Sequence, residues 1–411
     1  MGTSSVKRAF KYRFYPTSAQ TAELLRTFGC VRKVYNLGLA ARTDRWTASQ
    51  ERVGYVQTSA MLTAWKKTED LAYLADVSSV PLQQALRHLQ AAFAGFWGKR
   101  AKYPRFKSKR KSRASAEYTR SAFRYADGRL TLAKMAEPLD IVRSRPLPMG
   151  AQPSTATVSR DSAGRWFVSL LCEDTPAPMP AVTSAVGIDA GLTALVTLST
   201  GEKITNPKHE RRDRERLARA QRALARKEKE SSTRVARIHA RIADRRRDHL
   251  HQLTTRLVRE NQTLVIEDLS VRNMLKNRKL SRAISDAGWR ELRSMLEYKA
   301  AWYGRELIIA DRWFPSTHLC SACGAHAERM PLNVREWTCK ICGTTHDRDR
   351  TAAVNLLAAG LAATVCGDGA RPQRNTPERQ RSVKQKTRPA REGVPLPKEG
   401  DQGQSVTVPL K

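Results

Sequence analysis

Between residues 320 and 342 the chain spaces four cysteines as Cys320-x2-Cys323 and Cys339-x2-Cys342, and this spacing limits the local fold more than any other feature. A CxxC pair closes a tight turn that presents two thiolates, and two such pairs complete one tetrahedral zinc site. Gly324 and Gly343 follow the second cysteine of each pair, where a knuckle turn calls for a backbone free to take positive φ. His318, His326 and His346 could each offer nitrogen, but four thiolates need no fifth ligand. The expected ligands are therefore Cys320, Cys323, Cys339 and Cys342, holding one Zn²⁺. A closed site of this kind leaves no position for substrate, so the zinc is structural and any chemistry comes from other residues.

Cys30, Cys172 and Cys366 bring the total to seven. An odd count with four members clustered is no disulfide framework and suits a reducing compartment, so these three read as buried thiols. The 74 Lys and Arg against 39 Asp and Glu leave a net charge of +35. Such a surplus repels itself unless a polyanion neutralises it, which makes nucleic acid the expected partner. Membrane surfaces also attract basic proteins, but the longest apolar stretch, Ala352 to Cys366, is shorter than the roughly 20 residues of a span and contains Asn355. The N-terminal MGTSSVKRAF lacks the apolar core of a signal peptide, and Val6 stands where a myristoylation signal has Ser or Thr. A cytoplasmic protein with no membrane partner is expected.

The 411 residues, 40% of them hydrophobic, suffice for two or three domains with cores. KRAFKYRFY, residues 7–15, alternates basic and apolar positions as a strand does, and Pro16-Thr17 opens a helical stretch through Leu24, Leu25 and Phe28. Helical spacing returns at Leu82, Leu86, Leu89, Phe93 and Phe96 and gives way to the basic KRAKYPRFKSKRKSR, residues 99–113. From Tyr118 to Cys172 short strands alternate with turn residues, which predicts a small β-barrel. Asp174 to Ala181, with three prolines, reads as a linker.

The second half opens with AVGIDAGLTALVTLS, a strand, a glycine turn and a second strand, the hairpin with which a ribonuclease-H-like sheet begins. Between Lys208 and His249 lie 16 Lys or Arg and 7 acids, with Leu217, Leu224, Val235, Ile238 and Ile242 as the apolar positions. Two antiparallel helices with a break at Ser231-Ser232-Thr233 are predicted. TLVIED, residues 263–268, is a strand buried on both faces. A helix from about Asp286 to Tyr303, the buried strand in ELIIADRWF, the cysteine cluster and a final helix from about Thr351 follow. Beyond Cys366 the composition predicts disorder.

Hydrolysing a phosphodiester without a nucleophilic side chain calls for two divalent ions, and hard ions such as Mg²⁺ need carboxylates. Asp189 and Glu267 each end or interrupt an apolar run, where an acid is costly to bury unless a cation compensates. Asp349 supplies a third at the start of the last helix. Asp268 follows Glu267 but points to the opposite face of its strand. Asp347, two residues from Asp349, is a rival for the third place, with Asp349 preferred. No phosphate-binding or dinucleotide glycine motif occurs.

YRFYPTSAQ, RTFGCVRKVYN, LQQALRHL with FWGKRAKYPRFKSKR, VGIDAGLTAL, VIEDLSVRNM, DAGWRELRSMLEYKAAWYG, RWFPSTHLCSACG and CGTTHDRDRTAAVNLL resemble, in that order, the signature segments of the TnpB (OrfB) proteins of insertion sequences, relatives of the type V CRISPR effectors. The resemblance covers about residues 7–365. It implies an RNA-guided DNA endonuclease of a mobile element, with guide RNA and target double-stranded DNA as partners. The implied fold is an α/β nuclease domain of the RNase H-like, RuvC type with an inserted zinc ribbon, plus an N-terminal wedge-like β-barrel and a helical recognition lobe. Residues 1–50 and 116–180 would form the barrel, 51–115 the helical lobe, 181–313 and 346–365 the nuclease domain, 314–345 the ribbon and 366–411 a disordered basic tail. The family's catalytic acids fall on Asp189, Glu267 and Asp349, which would hold two Mg²⁺. One departure is Thr351, where the family usually has Asn; threonine can still hydrogen-bond and cap the helix.

In such an enzyme base pairing reads sequence while the protein holds the backbone. Lys99, Arg100, Lys102, Arg105, Lys107, Lys109, Arg110 and Lys111, interleaved with Tyr103 and Phe106, suit phosphate contacts with stacking support. A solvated charge run is the plainer reading of the same residues. Tyr12, Phe14 and Tyr35 read as core. A nuclease-dead guided binder, or a transposase acting directly on element ends, are the competing functions.

Overall fold

The computed structural model describes residues 5–226, 231–328, 330–331 and 333–365. The tail expected to be disordered, 366–411, lies outside the described residues.

Alternation along β1 (Val6–Phe14) buries Phe10, Tyr12 and Phe14 and leaves its basic residues at the surface. The chain then turns into α1 (Ser18–Ser49) through a capping box. The Gln20 amide donates to Thr17 Oγ1 at 3.2 Å, and the Thr17 amide donates to Gln20 Oε1 at 3.1 Å. After α2 (Tyr55–Trp65), α3 (Ser79–Trp97) packs Leu82, Leu86 and Leu89 toward α1, where Val34, Tyr35 and Leu39 are buried. Residues 99–113 form no regular helix or strand.

The strands that follow are β2 (Ala114–Thr119), β3 (Phe123–Ala126), β4 (Arg129–Leu132), β5 (Ile141–Val142), β6 (Thr155–Arg160) and β7 (Trp166–Asp174). They form an antiparallel sheet in the order β2-β6-β7-β1-β5 and a separate β3-β4 hairpin. Leu130 and Leu132 of the hairpin share one core with Tyr12, Phe14, Val168 and Leu170. Where a barrel was expected, β2 and β5 stand as unjoined edges among the described residues, and the hairpin covers the sheet's buried face.

The second half contains β8 (Ala185–Ala190), β9 (Ala194–Leu198), β10 (Lys203–Thr205), α4 (His209–Ala225), α5 (Ser231–Glu260), β11 (Thr263–Glu267), α6 (Val271–Met274), α7 (Ser281–Ala287), α8 (Trp289–Tyr303), β12 (Glu306–Ala310), β13 (Glu336–Thr338), β14 (Thr345–Asp347) and α9 (Arg348–Val365). Its sheet runs β10-β9-β8-β11-β12, with β8, β9 and β10 antiparallel and β11 parallel to both neighbours. The central strands are covered on both faces. Val186, Ile188, Leu264 and Ile266 meet α5 and α8, whereas Val265 and Ile308 meet α9 through Leu356.

Three expectations shift. The serines at 231 and 232 open α5 rather than break a helix, and the residues just before them are outside those described. The helix expected over 286–303 is α8 and begins at Trp289, where Gly288 in the left-handed region parts it from the preceding α7. Leu224 is 40% exposed, so the α4–α5 contact rests on Leu217, Ala220, Ile238 and Ile242. Among the described residues no helix is long and apolar enough to cross a membrane.

Candidate active site and its zinc ribbon

Parallel pairing sets Ile188 of β8 against Ile266 of β11, so the next residues, Asp189 and Glu267, stand side by side on the face that α9 covers. The Ala190 amide donates to Glu267 Oε1 at 3.3 Å, tying the ends of the two strands together. Asp349 reaches the same place from the first turn of α9. That helix lies unusually close to the sheet. A Cβ at Gly187 would sit 2.0 Å from the Ala353 carbonyl oxygen, and one at Gly360 would sit 2.6 Å from Val265 Cγ2. Two glycines, one on each partner, therefore set the depth at which Asp349 is delivered.

Burial raises the Asp189 carboxyl to about 8, and the charges of Glu267 and Asp349 push it the same way, while Arg348 and Arg335 act against them. Burial also raises Glu267 to about 7, against the pull of the Ala190 amide. Burial and mutual repulsion oppose ionisation of this cluster, a bound cation would favour it, and the carboxylate oxygens suit a hard ion such as Mg²⁺. Asp349 accepts from Arg335 Nη1 at 3.2 and 3.5 Å.

The rival Asp347 is occupied differently. Its Oδ1 accepts the Arg350 amide at 2.9 Å, capping α9, and its Oδ2 takes Lys203 Nζ at 2.5 Å. Burial raises its carboxyl, but these donors outweigh that and hold it below the ordinary range. The cap is thus Asp347 and not Thr351, which is buried one turn into the helix. Asp268 turns toward α8, as strand alternation requires, and is bound by Arg293 and Arg312.

In the ribbon the Sγ atoms of Cys320, Cys323, Cys339 and Cys342 all lie within 4.8 Å of one another, with Cys320 to Cys342 at 3.6 Å and Cys323 to Cys339 at 3.7 Å. A tetrahedron with metal–sulfur bonds of about 2.3 Å has an edge of about 3.8 Å, so the donor set fits zinc. Among the described residues this is the only set of three or more such side chains so closely gathered. The carboxylates form a more open group. Each knuckle closes with a glycine amide donating to the first cysteine's carbonyl at 2.9 Å, Gly324 to Cys320 and Gly343 to Cys339. Both glycines have positive φ. His346 is no fifth ligand of that set. Its Nε2 lies 3.0 Å from Cys320 Sγ and its ring packs on Trp337, so it buttresses one ligand from outside.

The ribbon is pinned to α9. Arg348 Nη1 donates to the Pro331 carbonyl at 2.8 Å, the Arg348 amide to Arg335 O at 2.8 Å, and Asn355 Nδ2 to Ser316 O and Leu319 O at 2.8 and 2.9 Å. Arg335 thereby reaches Asp349. Neither Arg335 nor Arg348 carries a signal in the sequence that sets it apart from other polar residues, whereas Asn355 does, as the polar residue inside the apolar stretch 352–366. Gly187 does too, as a glycine inside an apolar strand. Replacing Cys320 and Cys323 together by Ser is expected to abolish bound zinc and open residues 314–345 to protease, since structural zinc supplies about 10 to 16 kcal/mol in zinc-finger peptides. One zinc per chain retained by the variant, measured by mass spectrometry, would refute the ligand set.

In the basic segment Lys99, Arg100, Lys102, Arg105, Lys109, Arg110 and Lys111 are exposed. Lys107 is not free in the same way. Its ammonium lies 3.9 Å from the Tyr35 ring centre, and its backbone is held by Asn36 on both sides. Tyr103 is half-exposed, edge-on to Phe93 and Phe96, with its hydroxyl 2.9 Å from Thr43 Oγ1. Phe106 is exposed, whereas Tyr12, Phe14 and Tyr35 are buried, as core residues should be.

Family models match three parts of the chain: a helix-turn-helix domain over residues 1–51, a probable transposase of the OrfB IS605 type over 169–278, and a Cas12f1-like TNB domain over 289–356. Over the first of these the structure has one strand and one long helix. A protein of Streptomyces pristinaespiralis, provisionally named an RNA-guided DNA endonuclease, is 70% identical over 95% of this chain and 98% of its own. InsQ of Escherichia coli K12, provisionally named likewise, is 33% identical over 88% of this chain and 94% of its own. A cryo-EM structure of the Cas12f1–sgRNA–target DNA complex contains a chain of similar fold, with a TM-score of 0.54 at 12% identity, covering 86% of this chain and 98% of that one. The class so defined is the transposase-associated OrfB type, and the chain belongs to the TnpB (OrfB) family.

Proposed function

We infer that this protein is an RNA-guided DNA endonuclease that cuts its target by carboxylate- and metal-dependent phosphodiester hydrolysis. The observation that carries the reading is the gathering of Asp189, Glu267 and Asp349 from three separate segments into one cluster so charged and buried that two of the three are raised to near neutrality. The names of the two relatives at 70% and 33% identity agree with it.

In this reading Asp189, Glu267 and Asp349 would hold two Mg²⁺, which when bound would supply an activated water and neutralise charge on the departing oxygen. The chain's own residues do the rest. Gly187 and Gly360 fix the depth of α9, Arg348 and Asn355 hold the ribbon against it, and Arg335 places a cation beside the phosphate position. The nuclease domain is assigned to 181–313 and 346–365 in the RuvC manner, with 314–345 as the ribbon, 51–115 as a helical lobe and 1–50 with 116–180 as the wedge-like part. Thr351, which stands where the family usually has Asn, is buried within α9, and the names of the relatives favour the nuclease over a nuclease-dead binder. Purified protein carrying RNA should cleave matched DNA with Mg²⁺ and stop with EDTA; cleavage that persists in EDTA would remove the carboxylates from the chemistry.

Lys99, Arg100, Lys102, Arg105, Lys109, Arg110 and Lys111 are assigned to RNA or DNA phosphates, with Phe106 and Tyr103 as neighbouring aromatic surface and Lys107 as a brace. Changing Lys102, Arg105, Lys109 and Arg110 together to Ala should weaken RNA binding and flatten its salt dependence, by about 0.7 in the log–log slope for each phosphate no longer neutralised. An unchanged slope would place the RNA elsewhere.

A further inference from the structure

On the α8 side of the nuclease sheet a cavity of about 550 Å³ opens beside Glu267. Its walls are Ile188 and Ile266 from the sheet, Leu269 and Leu275 from the loop and helix after β11, and Trp289 and Leu292 from α8. Helix–sheet interfaces are normally filled to crystal-like density, so a space of this size, comparable to a small-molecule site, is a departure. Trp289 is 5% exposed, yet its indole N–H has no acceptor.

Four charged groups besides Glu267 line the cavity, and they divide into two kinds. Arg293 and Glu297 are bonded to each other at 2.9 Å, and Arg293 also to Asp268. Arg272 and Arg290 are exposed and make no ion pair among the described residues. An apolar and aromatic recess flanked by two uncommitted guanidiniums, lined in part by the residue whose carboxylate, on the other face of the sheet, would handle a phosphate, matches a nucleotide: a flat base for the recess and phosphates for the arginines.

We propose that this cavity receives one unstacked base of the DNA strand being cut, next to the scissile phosphate, with Arg272 and Arg290 on the flanking phosphates. This rests on the nuclease reading and adds to it a base-binding subsite on the face of the sheet opposite α9. The strand crosses the C-terminal edge of β8 and β11, its phosphate on the carboxylate side and its base on the α8 side. Cutting then depends on a base being present at one position, whatever the guide pairs with.

The test uses the full chain with its bound RNA and a matched target whose unpaired strand carries a single abasic site, moved one position at a time. The wild type should cut on the order of tenfold or more slowly when the abasic site falls at one position beside the scissile bond, and at the ordinary rate elsewhere. Ser294→Trp, at an exposed position on the cavity wall, should fill the recess, slow the intact target to a similar degree and erase the difference between intact and abasic DNA. A flat scan in an enzyme that cuts normally would overturn the subsite, as would a dip that Ser294→Trp leaves unchanged. Failure of the wild type to cut intact DNA would overturn the nuclease reading and the subsite with it.

Discussion

Asp189→Asn is expected to lower the rate of DNA cleavage by at least about 10³-fold while leaving RNA binding unchanged and making the metal-free protein more stable. The rate falls because the side chain loses its anionic oxygen in a site where, in the proposed function, bound metal ions would supply several kcal/mol of charge stabilisation. The stability rises for the opposite reason. In the fold Asp189 is raised to about 8 by burial and by Glu267 and Asp349, far above its ordinary value of 3.8. An acid whose pKa is raised by folding binds more protons folded than unfolded, so its contribution to stability falls as pH climbs from about 4 to about 8. Asparagine removes that loss. In EDTA the variant should therefore melt higher than the wild type at pH 8 and differ little near pH 4, and Mg²⁺ should raise the wild-type Tm but not the variant's. A variant that melts lower at pH 8 would mean that Asp189 is satisfied by the protein itself and is no metal ligand.

Gly187→Ala is expected to lower cleavage by about 10²-fold although it adds one methyl group to a strand and touches no substrate. The added Cβ meets the backbone carbonyl of Ala353 at 2.0 Å. A backbone atom in a helix can give way only if the helix moves, and α9 carries Asp349. Displacement of a catalytic group by about 1 Å is enough for a loss of this order. The same substitution at Gly324 or Gly343 would strain a knuckle but leave α9 seated. RNA binding and zinc content of Gly187→Ala should match the wild type, which separates displaced geometry from unfolding. Full activity in this variant would mean that the depth of α9 does not govern the site.

The four-cysteine cluster was legible because all its information is local: a spacing, two glycines and four thiolates within 23 residues. Asp189 and Glu267 stood out for another reason, since an acid that ends or interrupts an apolar run is costly to bury without compensation, and the structure places both at neighbouring strand ends. Asp349 and Asp347 could not be told apart by pattern. The difference lies in where α9 begins, at Arg348 rather than Thr351, and that start is set by the Asp347 cap and by β14 running straight into the helix. Arg335 was invisible, one arginine among many in a basic chain, and gains its meaning only when the ribbon folds back on α9. The pairing of short strands was likewise beyond pattern. Alternation in β1 and β7 showed a buried face but not which edges would remain unpaired. In the basic segment charge alone did not show that Lys107 would turn inward onto Tyr35.

The central claim is tested most directly by purifying the full-length chain from cells that also carry its native flanking DNA, sequencing the RNA that comes with it, and adding Mg²⁺ and a plasmid library bearing matched targets with randomised flanks. The account predicts a defined co-purifying RNA and Mg²⁺-dependent loss of plasmids that match its guide portion, with no loss for Asp189→Asn. Absence of bound RNA, or cutting that ignores the guide sequence, would contradict it.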